Sequence, residues 1–556
     1  MFVSILSSTI VTNALPRISR ELKGSESQYT WVVAATLLAM TASTPIWGKL
    51  ADRLNRKMLM QLALALYTVA SIFAGFSQSM GMLIGARALQ GIGSGGVMSL
   101  SQIIIGAVIP PRERGRYSGY MGATFALATV LGPLIGGAMV DTPFIGWRGC
   151  FYGGLPFIVV AFALLQRNLQ LPYVKRKVPI DYSGGLLITT GVSLLLIWVS
   201  MAGSGVFGWT SSWGVFLVIG STLLVGAAIY TETQATDPVV PLSMFRHRTV
   251  SFAVLGSVFM GCAMAGSTVF MGQYFQIAQG HSAVIAGMLT LPLVVGMFGM
   301  SLVSGRLISA YGKWKRYLVG GSVCLFLGVI VLSRLSIDTP MIVISAGMFL
   351  VGIGIGSTNQ NLVLAVQNTV PLSQLGAGSS IVSFFRSLGS AAGLSVLGAV
   401  MSAHLSGALV SGFTRAGIAV PHGAESGGIP NIAAMPPRAG HIVASSYADS
   451  IALVFLCMIP LIAISLMFIC MIKEVPLRSK DDMEYMDDME HLDDLDAEAN
   501  EATAPPVGRG APVPVGNARS RDGQSGDKPA AKPAGTLSGG SGRLRRRSGA
   551  GARAGV

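Results

Sequence analysis

Acidic side chains are scarce in this chain, and the scarcity is uneven. Of 25 Asp and Glu in 556 residues, 11 fall in one run from Asp481 to Glu501. The first 478 residues hold 12, and each stands near the end of an apolar run, in a loop or beside one. Charged residues make up 12% of the chain, where soluble domains carry about a quarter. An isolated charge in hydrocarbon is costly, so charge confined to the ends of apolar runs is the pattern of a multi-spanning membrane protein. A soluble fold would need many helices apolar on every face. The five cysteines (Cys150, Cys262, Cys324, Cys457, Cys470) show no paired spacing and read as small residues, four of them inside apolar runs. The six histidines are scattered, with no pair at ligand spacing, so no metal site is visible. There is no nucleophile–base pair and no nucleotide loop. Nothing points to an enzyme, and no cofactor is expected.

What is abundant is apolar sequence and glycine: 51% hydrophobic residues and 70 Gly. Helices that pack closely in a bilayer are often rich in glycine. Because a span needs about 20 apolar residues, the chain reads as fourteen spans. These are 1–18, 29–50, 59–78, 82–108, 117–140, 148–168, 182–202, 212–231, 250–275, 284–308, 317–336, 341–364, 378–403 and 448–472. The first span begins at Met1, and Pro16-Arg17 interrupt its apolar stretch, so the helix is short or the true start lies upstream. Residues 404–447 read as an outer loop rich in Gly, Pro and Ala. Residues 479–556 read as a disordered tail: an acidic run, then Pro/Gly/Ala-rich sequence, then the basic cluster Arg543–Arg547.

Cations set the orientation. Arg53/Arg56/Lys57, Arg112/Arg114/Arg116, Lys175/Arg176/Lys177, Arg246/Arg248 and Lys313/Lys315/Arg316 fall in one set of alternate loops. The other set is poorer, with Arg20, Lys23, Arg148, Arg415 and Arg438. The rich set is therefore expected in the cytoplasm, and both termini with it. Residues 1–478 carry 28 Lys and Arg against 12 acids, and the tail 11 against 13. The excess is a topology signal rather than a nucleic-acid footprint. Trp147, Trp209 and Trp213 fall at the expected outer boundary.

Eight segments carry motifs. The first is a polar loop after span 2, Gly48-Lys49-Leu50-Ala51-Asp52-Arg53-Leu54-Asn55-Arg56-Lys57, with a weaker copy 257 residues on, Gly305 to Lys313, in which Ser309 stands where Asp52 does. One turn used twice implies a duplicated half. Span 4 holds Arg87-Ala88-Leu89-Gln90-Gly91-Ile92-Gly93. Span 5 holds Gly119, Ala128, Gly132, Pro133, Gly136 and Gly137, a stripe of small residues that lets another helix approach. Residues 147–156 and 180–184, Ser379 to Gly389, and Lys473 to Arg478 follow. Span 1 reads Leu6-Ser7-Ser8-Thr9-Ile10-Val11-Thr12-Asn13-Ala14-Leu15-Pro16.

Taken in order, these segments resemble the fourteen-helix drug:proton antiporter branch of the major facilitator superfamily, over residues 1–478. The resemblance implies an all-α membrane protein with the major-facilitator fold: 14 transmembrane helices in a 6+2+6 order, grouped as a first six-helix bundle (1–168), two linking helices (182–231) and a second six-helix bundle (250–472), with the two bundles pseudo-symmetric. It implies a conformational latch at Gly48, Asp52, Arg53 and Arg56, with Asp52 accepting from neighbouring donors and from a facing helix N-terminus. Asn55 stands where the family has glycine and is expected to tolerate a left-handed turn. Arg87 is implied to tune a proton-carrying carboxylate; snorkelling to the interface is its alternative. The small residues of span 5 (Gly119, Gly132, Pro133, Gly136, Gly137) match the antiporter signature, which the family links with export, though helix packing alone accounts for the same residues. Ser7 stands where many members place a proton-coupling Asp, and a serine does not carry the proton. Proton coupling is then absent, or its carboxylate has moved to a span end, with Asp141 first and Asp449 second and a plain helix-end charge as the alternative for each.

Gln102, Gln273, Tyr274 and Asn361 are the cavity candidates, with helix bridging as their alternative. The expected activity is export of hydrophobic drugs, antibiotics or toxic metabolites in exchange for protons, by a monomer in a bacterial inner membrane. The partners are then a small hydrophobic substrate, protons and the lipid bilayer. The rivals are an exporter of one native metabolite not driven by protons, and a transporter-like sensor or scaffold acting through its tail.

Overall fold

The computed structural model describes residues 1–23, 26–141, 146–169, 182–203, 207–235, 238–371, 374–417 and 436–477. The chain divides into Met1–His491 and Leu492–Val556, and the second unit lies wholly outside the described residues, as does the tail from 479.

Every regular element described is helical. The first bundle is α1 (Phe2–Glu21), α2 (Glu26–Arg53), α3 (Arg56–Gly75), α4 (Met80–Val108), α5 (Pro111–Asp141) and a broken pair, α6 (Gly146–Tyr152) and α7 (Leu155–Asn168). Gly153-Gly154 and Pro156 make the break. Two linking helices follow, α8 (Tyr182–Gly203) and α9 (Ser212–Gln234). The second bundle is α10 (Arg248–Gln273), which ends in a π-helical turn Tyr274–Ala278, then α11 (Ala283–Leu289), α12 (Leu291–Tyr311), α13 (Lys315–Leu332), α14 (Met341–Gln367), α15 (Leu375–Ala416) and α16 (Pro437–Met471). Among the described residues, 12 helical stretches are long and apolar enough to cross a membrane. With α1 and α5 they make up the 6+2+6 order.

The duplication is visible in the packing. In the first bundle α1 packs on α5, α2 on α4, and α3 on α4; in the second, α10 packs on α15, α12 on α14, and α13 on α14. Glycines set the closeness of these crossings. A Cβ at Gly95 of α4 would lie 2.8 Å from the Met40 carbonyl oxygen on α2, and one at Gly93 would lie 2.7 Å from the Tyr67 nitrogen on α3. The bundles bury separate apolar cores. A further cluster of Leu38, Val192, Leu196 and Phe384 wedges α8 against α2 and α15, where the bundles meet. By contrast α9 leaves Phe216, Ile219, Leu223, Ile229 and Tyr230 exposed, an apolar face suited to lipid.

Several local expectations change. Pro16 does not end α1, which runs on to Glu21. Trp147 is 1% exposed and donates to Glu21 Oε2 at 2.7 Å, tying α6 to α1 rather than facing the interface. Trp209 and Trp213 are exposed. Asn55 has φ −60° and ψ 112°, extended rather than left-handed, and its side chain accepts from Lys57 N at 2.9 Å to cap α3. At the matching position of the second copy, Gly312 does adopt φ +71° and ends α12. The segment Lys473–Leu477 returns to the same face as the polar loop: Trp314 Nε1 donates to Val475 O at 2.9 Å, and Lys315 N donates to Glu474 Oε1 at 3.1 Å.

Helical backbone also covers both ends of the segment read as a loop from 404 to 447, and 418–435 lies outside the described residues. The 42 residues of α15 and 35 of α16 span about 63 and 52 Å at 1.5 Å per residue, against about 30 Å of hydrocarbon. Apolar residues at helical spacing explain the extension: Leu405, Leu409 and Phe413 are buried against Ala439, Val443 and Tyr447. The sequence hides this seam among small residues. Phe413→Ala should remove about 3–5 kcal/mol of packing. Amide exchange should then speed up across 405–416 and 437–447, with α2–α4 unchanged. Unaltered protection in those stretches would mean the seam does not hold the extension.

Candidate functional site

Asp52 lies in the last turn of α2, at the face carrying the polar loop. Its Oδ1 accepts from Gly376 N at 2.7 Å and its Oδ2 from Ala377 N at 2.9 Å. Both amides are in the first turn of α15, whose own N-cap residue, Gln374, supplies no side-chain cap. One bundle's carboxylate therefore caps a helix of the other. Two orphan donors and the positive helix end are satisfied at once.

Glycine permits the approach. A Cβ at Gly48, one turn before Asp52, would run into Ser380, and a Cβ at Gly376 would lie 2.7 Å from Asp52 Cγ. Lys49 and Arg53 are buried at 5% and 7% exposure beside this contact. Arg56 Nε donates to Ala51 O at 3.0 Å, which stiffens the turn.

The crossing of α12 over α5 is the pseudo-symmetric partner. A Cβ at Gly115 would lie 2.6 Å from Gly305 O, and Gly305 is the counterpart of Gly48. Ser309, the counterpart of Asp52, accepts from Arg116 N at 3.2 Å. A neutral hydroxyl thus does on one crossing what a carboxylate does on the other. Gly119 belongs here, since a Cβ on it would lie 2.9 Å from Ser301 O. Gly132 and Gly136 face α1 instead, at Thr9 and Ile10. The small-residue stripe therefore serves two neighbours. Pro133 does not interrupt α5, and the side-chain placements of Pro133, Gly137 and Asp141 lie outside the described residues. Asp449, the second carboxylate choice, is exposed on α16.

Gln102 forms a third link between the bundles. Its Oε1 accepts from Ser383 Oγ at 2.9 Å, and its carbonyl accepts from Gln367 Nε2 at 3.2 Å. Nearby, Arg114 is buried and binds the last carbonyls of α4, with Nε on Ile109 O at 2.6 Å and a second bond to Gly106 O. The other cavity candidates lie elsewhere. Asn361 Nδ2 donates to Ser357 O at 2.6 Å and to Ser304 Oγ at 3.3 Å, joining α14 to α12. Tyr274 is buried and donates to Ser336 O at 2.9 Å, at the end of the fold away from the polar loop. Gln273 keeps a buried Oε1 without a hydrogen bond. The four do not meet at one place, and three of them make bonds that bridge helices or turns.

Arg87 is 1% exposed, so it does not snorkel. Its Nη1 donates to Gln90 Oε1 at 2.5 Å, and Gln90 Nε2 donates to Ser71 Oγ at 2.8 Å. A second interior guanidinium, Arg386 on α15, donates to Asn359 O at 2.9 Å. Sequence reasoning placed Arg386 in a motif but gave it no part in the site. It also missed Gly376 and Ala377, whose only signal is a helix that starts Leu375-Gly376-Ala377 with no good N-cap.

A helical repeat folded into two bundles, joined at one face by the Asp52 contact, has the architecture of a membrane transporter. The chain belongs to the Major Facilitator Superfamily, whose family model matches residues 1–394. It is therefore a multi-pass transporter rather than an enzyme. It is 34% identical over 404 residues to the multidrug transporter protein MdtP of Bacillus subtilis, covering 72% of this chain and 74% of that one. It is 32% identical over 485 residues to an uncharacterized MFS-type transporter of Mycobacterium tuberculosis, covering 87% and 69%. It is 33% identical over 397 residues to the efflux pump dotC of Dothistroma septosporum, covering 70% and 67%. Among solved structures, the proton:xylose symporter XylE superposes with a TM-score of 0.56 at 13% identity, covering 87% of this chain and 97% of that one.

Asp52→Asn keeps the shape of the contact and removes its charge. Charge-assisted hydrogen bonds contribute about 1.5–3 kcal/mol, which shifts a two-state equilibrium about tenfold or more. Transport per molecule should fall by that factor while immunoblots of membranes show a near-normal amount of protein. Wild-type transport by the variant would reduce the loop to a topology anchor.

Proposed function

We propose that this transporter exports hydrophobic drugs, antibiotics or toxic metabolites from the cytoplasm, by alternating access and in exchange for protons. The observation that carries the reading is the Asp52 carboxylate on the first turn of α15, a reversible bond between two bundles. While it holds, the polar-loop face is shut and the path opens toward the other side. Breaking it lets the bundles rock. The similarity to proteins named as a multidrug transporter and an efflux pump supports the direction and the cargo class. One chain holds both bundles, which fits a monomer.

We assign the polar-loop face to the cytoplasm of a bacterial inner membrane, because the described cation-rich loops at 53–57, 112–116 and 313–316 lie there. Reporter fusions at Arg478 and within 404–447 check this. A cytoplasmic signal is expected at the first and an external one at the second, and a cytoplasmic signal from 404–447 would reverse the span count.

The proton carrier is proposed to be Asp141, at the end of α5. In everted membrane vesicles holding an imposed pH gradient, a substrate from a drug panel should dissipate the gradient. Asp141→Asn should abolish that response, whereas Asp449→Asn should keep it. Exchange at the wild-type rate in Asp141→Asn would remove this residue from the mechanism. The second reading is export not driven by protons. It is favoured by the hydroxyl of Ser7, with no described carboxylate, in the neighbourhood of Arg87. Efflux indifferent to the pH gradient would select it.

A further inference from the structure

Inside the first bundle, between α1, α3 and α4, hydrogen-bond donors converge without enough acceptors. Arg87, Tyr67 and Ser7 are 1%, 3% and 4% exposed. A guanidinium has five N–H groups. Arg87 directs Nη1 to Gln90 Oε1 at 2.5 Å and Nε to the Val32 carbonyl oxygen at 3.4 Å. Gln90 then passes its own donor on to Ser71. The hydroxyls of Tyr67 and Ser7 are buried and close no hydrogen bond by distance and angle. Yet Tyr67 stands beside Ser7, Ser71 and Gln90 and is near enough for the charge of Arg87 to act on it. No carboxylate among the described residues pairs with this guanidinium. Buried polar groups are normally hydrogen-bonded, and a charge in a membrane interior normally has a partner.

We propose that Arg87, Tyr67 and Ser7 form a binding site for a monovalent anion, either the carboxylate of a cargo molecule or a chloride ion. The chemistry selects the class. One fixed cation balances one negative charge, and two hydroxyls and the remaining N–H groups donate to it. A neutral ligand would satisfy the hydroxyls and leave the charge. The site lies in one bundle, away from the Asp52 contact, so anion binding can be measured whether or not export is observed.

The test uses the full chain, purified in detergent, with thermal unfolding followed by tryptophan fluorescence. The reference salt is sodium isethionate, a bulky and weakly basic sulfonate. Sodium chloride or sodium benzoate replaces it at constant ionic strength. A ligand that binds only the folded state raises the midpoint with the logarithm of its concentration above Kd, so a rise is expected with at least one of the two anions. A response to chloride alone identifies the ion, a response to benzoate alone identifies a cargo carboxylate, and a response to both shows one shared site. Arg87→Gln should abolish the response. Ser7→Asp supplies an internal carboxylate, so it should raise the midpoint in isethionate and weaken the anion response at least tenfold. If Arg87→Gln does not accumulate, Ser7→Asp decides. Identical wild-type midpoints in all three salts, or a response that survives unchanged in Ser7→Asp, would overturn the assignment.

Discussion

The bond between the Asp52 carboxylate and the Gly376 and Ala377 amides in the first turn of α15 is the interaction on which the arrangement of the two bundles depends. Its strength comes from the helix end it caps, with the charges of Arg56 and Lys49 acting on the carboxylate as well. A helix start leaves backbone N–H groups with no partner inside the helix, and the macrodipole adds partial positive charge there. A carboxylate seated on it can be replaced by water when the bundles separate, so the bond can be broken at modest cost. A buried ion pair would exact a desolvation penalty on both charges. The requirement falls instead on the backbone: Gly48 and Gly376 must lack Cβ atoms for α2 and α15 to cross this closely.

The same crossing is built a second time with weaker chemistry. At α12 and α5 the glycine pair persists as Gly305 and Gly115, but Ser309 replaces the acid. A neutral hydrogen bond contributes about 0.5–1.5 kcal/mol, and one to a charged group about 1.5–3. The two crossings keep the same shape while differing in strength. Shape survives because removing a glycine would clash with backbone, whereas exchanging Asp for Ser leaves the backbone path intact. The asymmetry places the charged bond at one crossing and a neutral one at the other.

How much of this could be read from the sequence depended on whether the signal was local. Spans were legible because hydrocarbon demands about 20 apolar residues in a row, and that demand is written in the chain itself. The polar loop was legible because an acid among cations is unusual. Its partner was not, because backbone amides of Gly376 and Ala377 carry no residue signature. Asn55 was read as a stand-in for a left-handed glycine, but its side chain made an N-cap instead, and a capping residue needs an extended backbone. Trp147 was read as an interface residue because position alone was visible; Glu21, its hydrogen-bond partner, is 126 residues away. The extension of α15 and α16 was hidden for the same reason. Leu405, Leu409 and Phe413 form a stripe only once Val443 and Tyr447 lie opposite them. Gln102 and Asn361 were polar groups in apolar runs, which sequence can find but cannot sort into ligand contacts and helix bridges.

Interior charge is the remaining constraint. Arg87 and Arg386 sit on α4 and α15, and α15 is also the helix that Asp52 caps. Neither guanidinium has a described carboxylate partner, and an arginine does not escape by losing its proton. Each therefore relies on carbonyl and amide oxygens, which screen a charge without cancelling it. Each arginine therefore favours a negative group beside it and disfavours another cation. Near Arg87 the buried hydroxyls of Ser7 and Tyr67 leave that demand open.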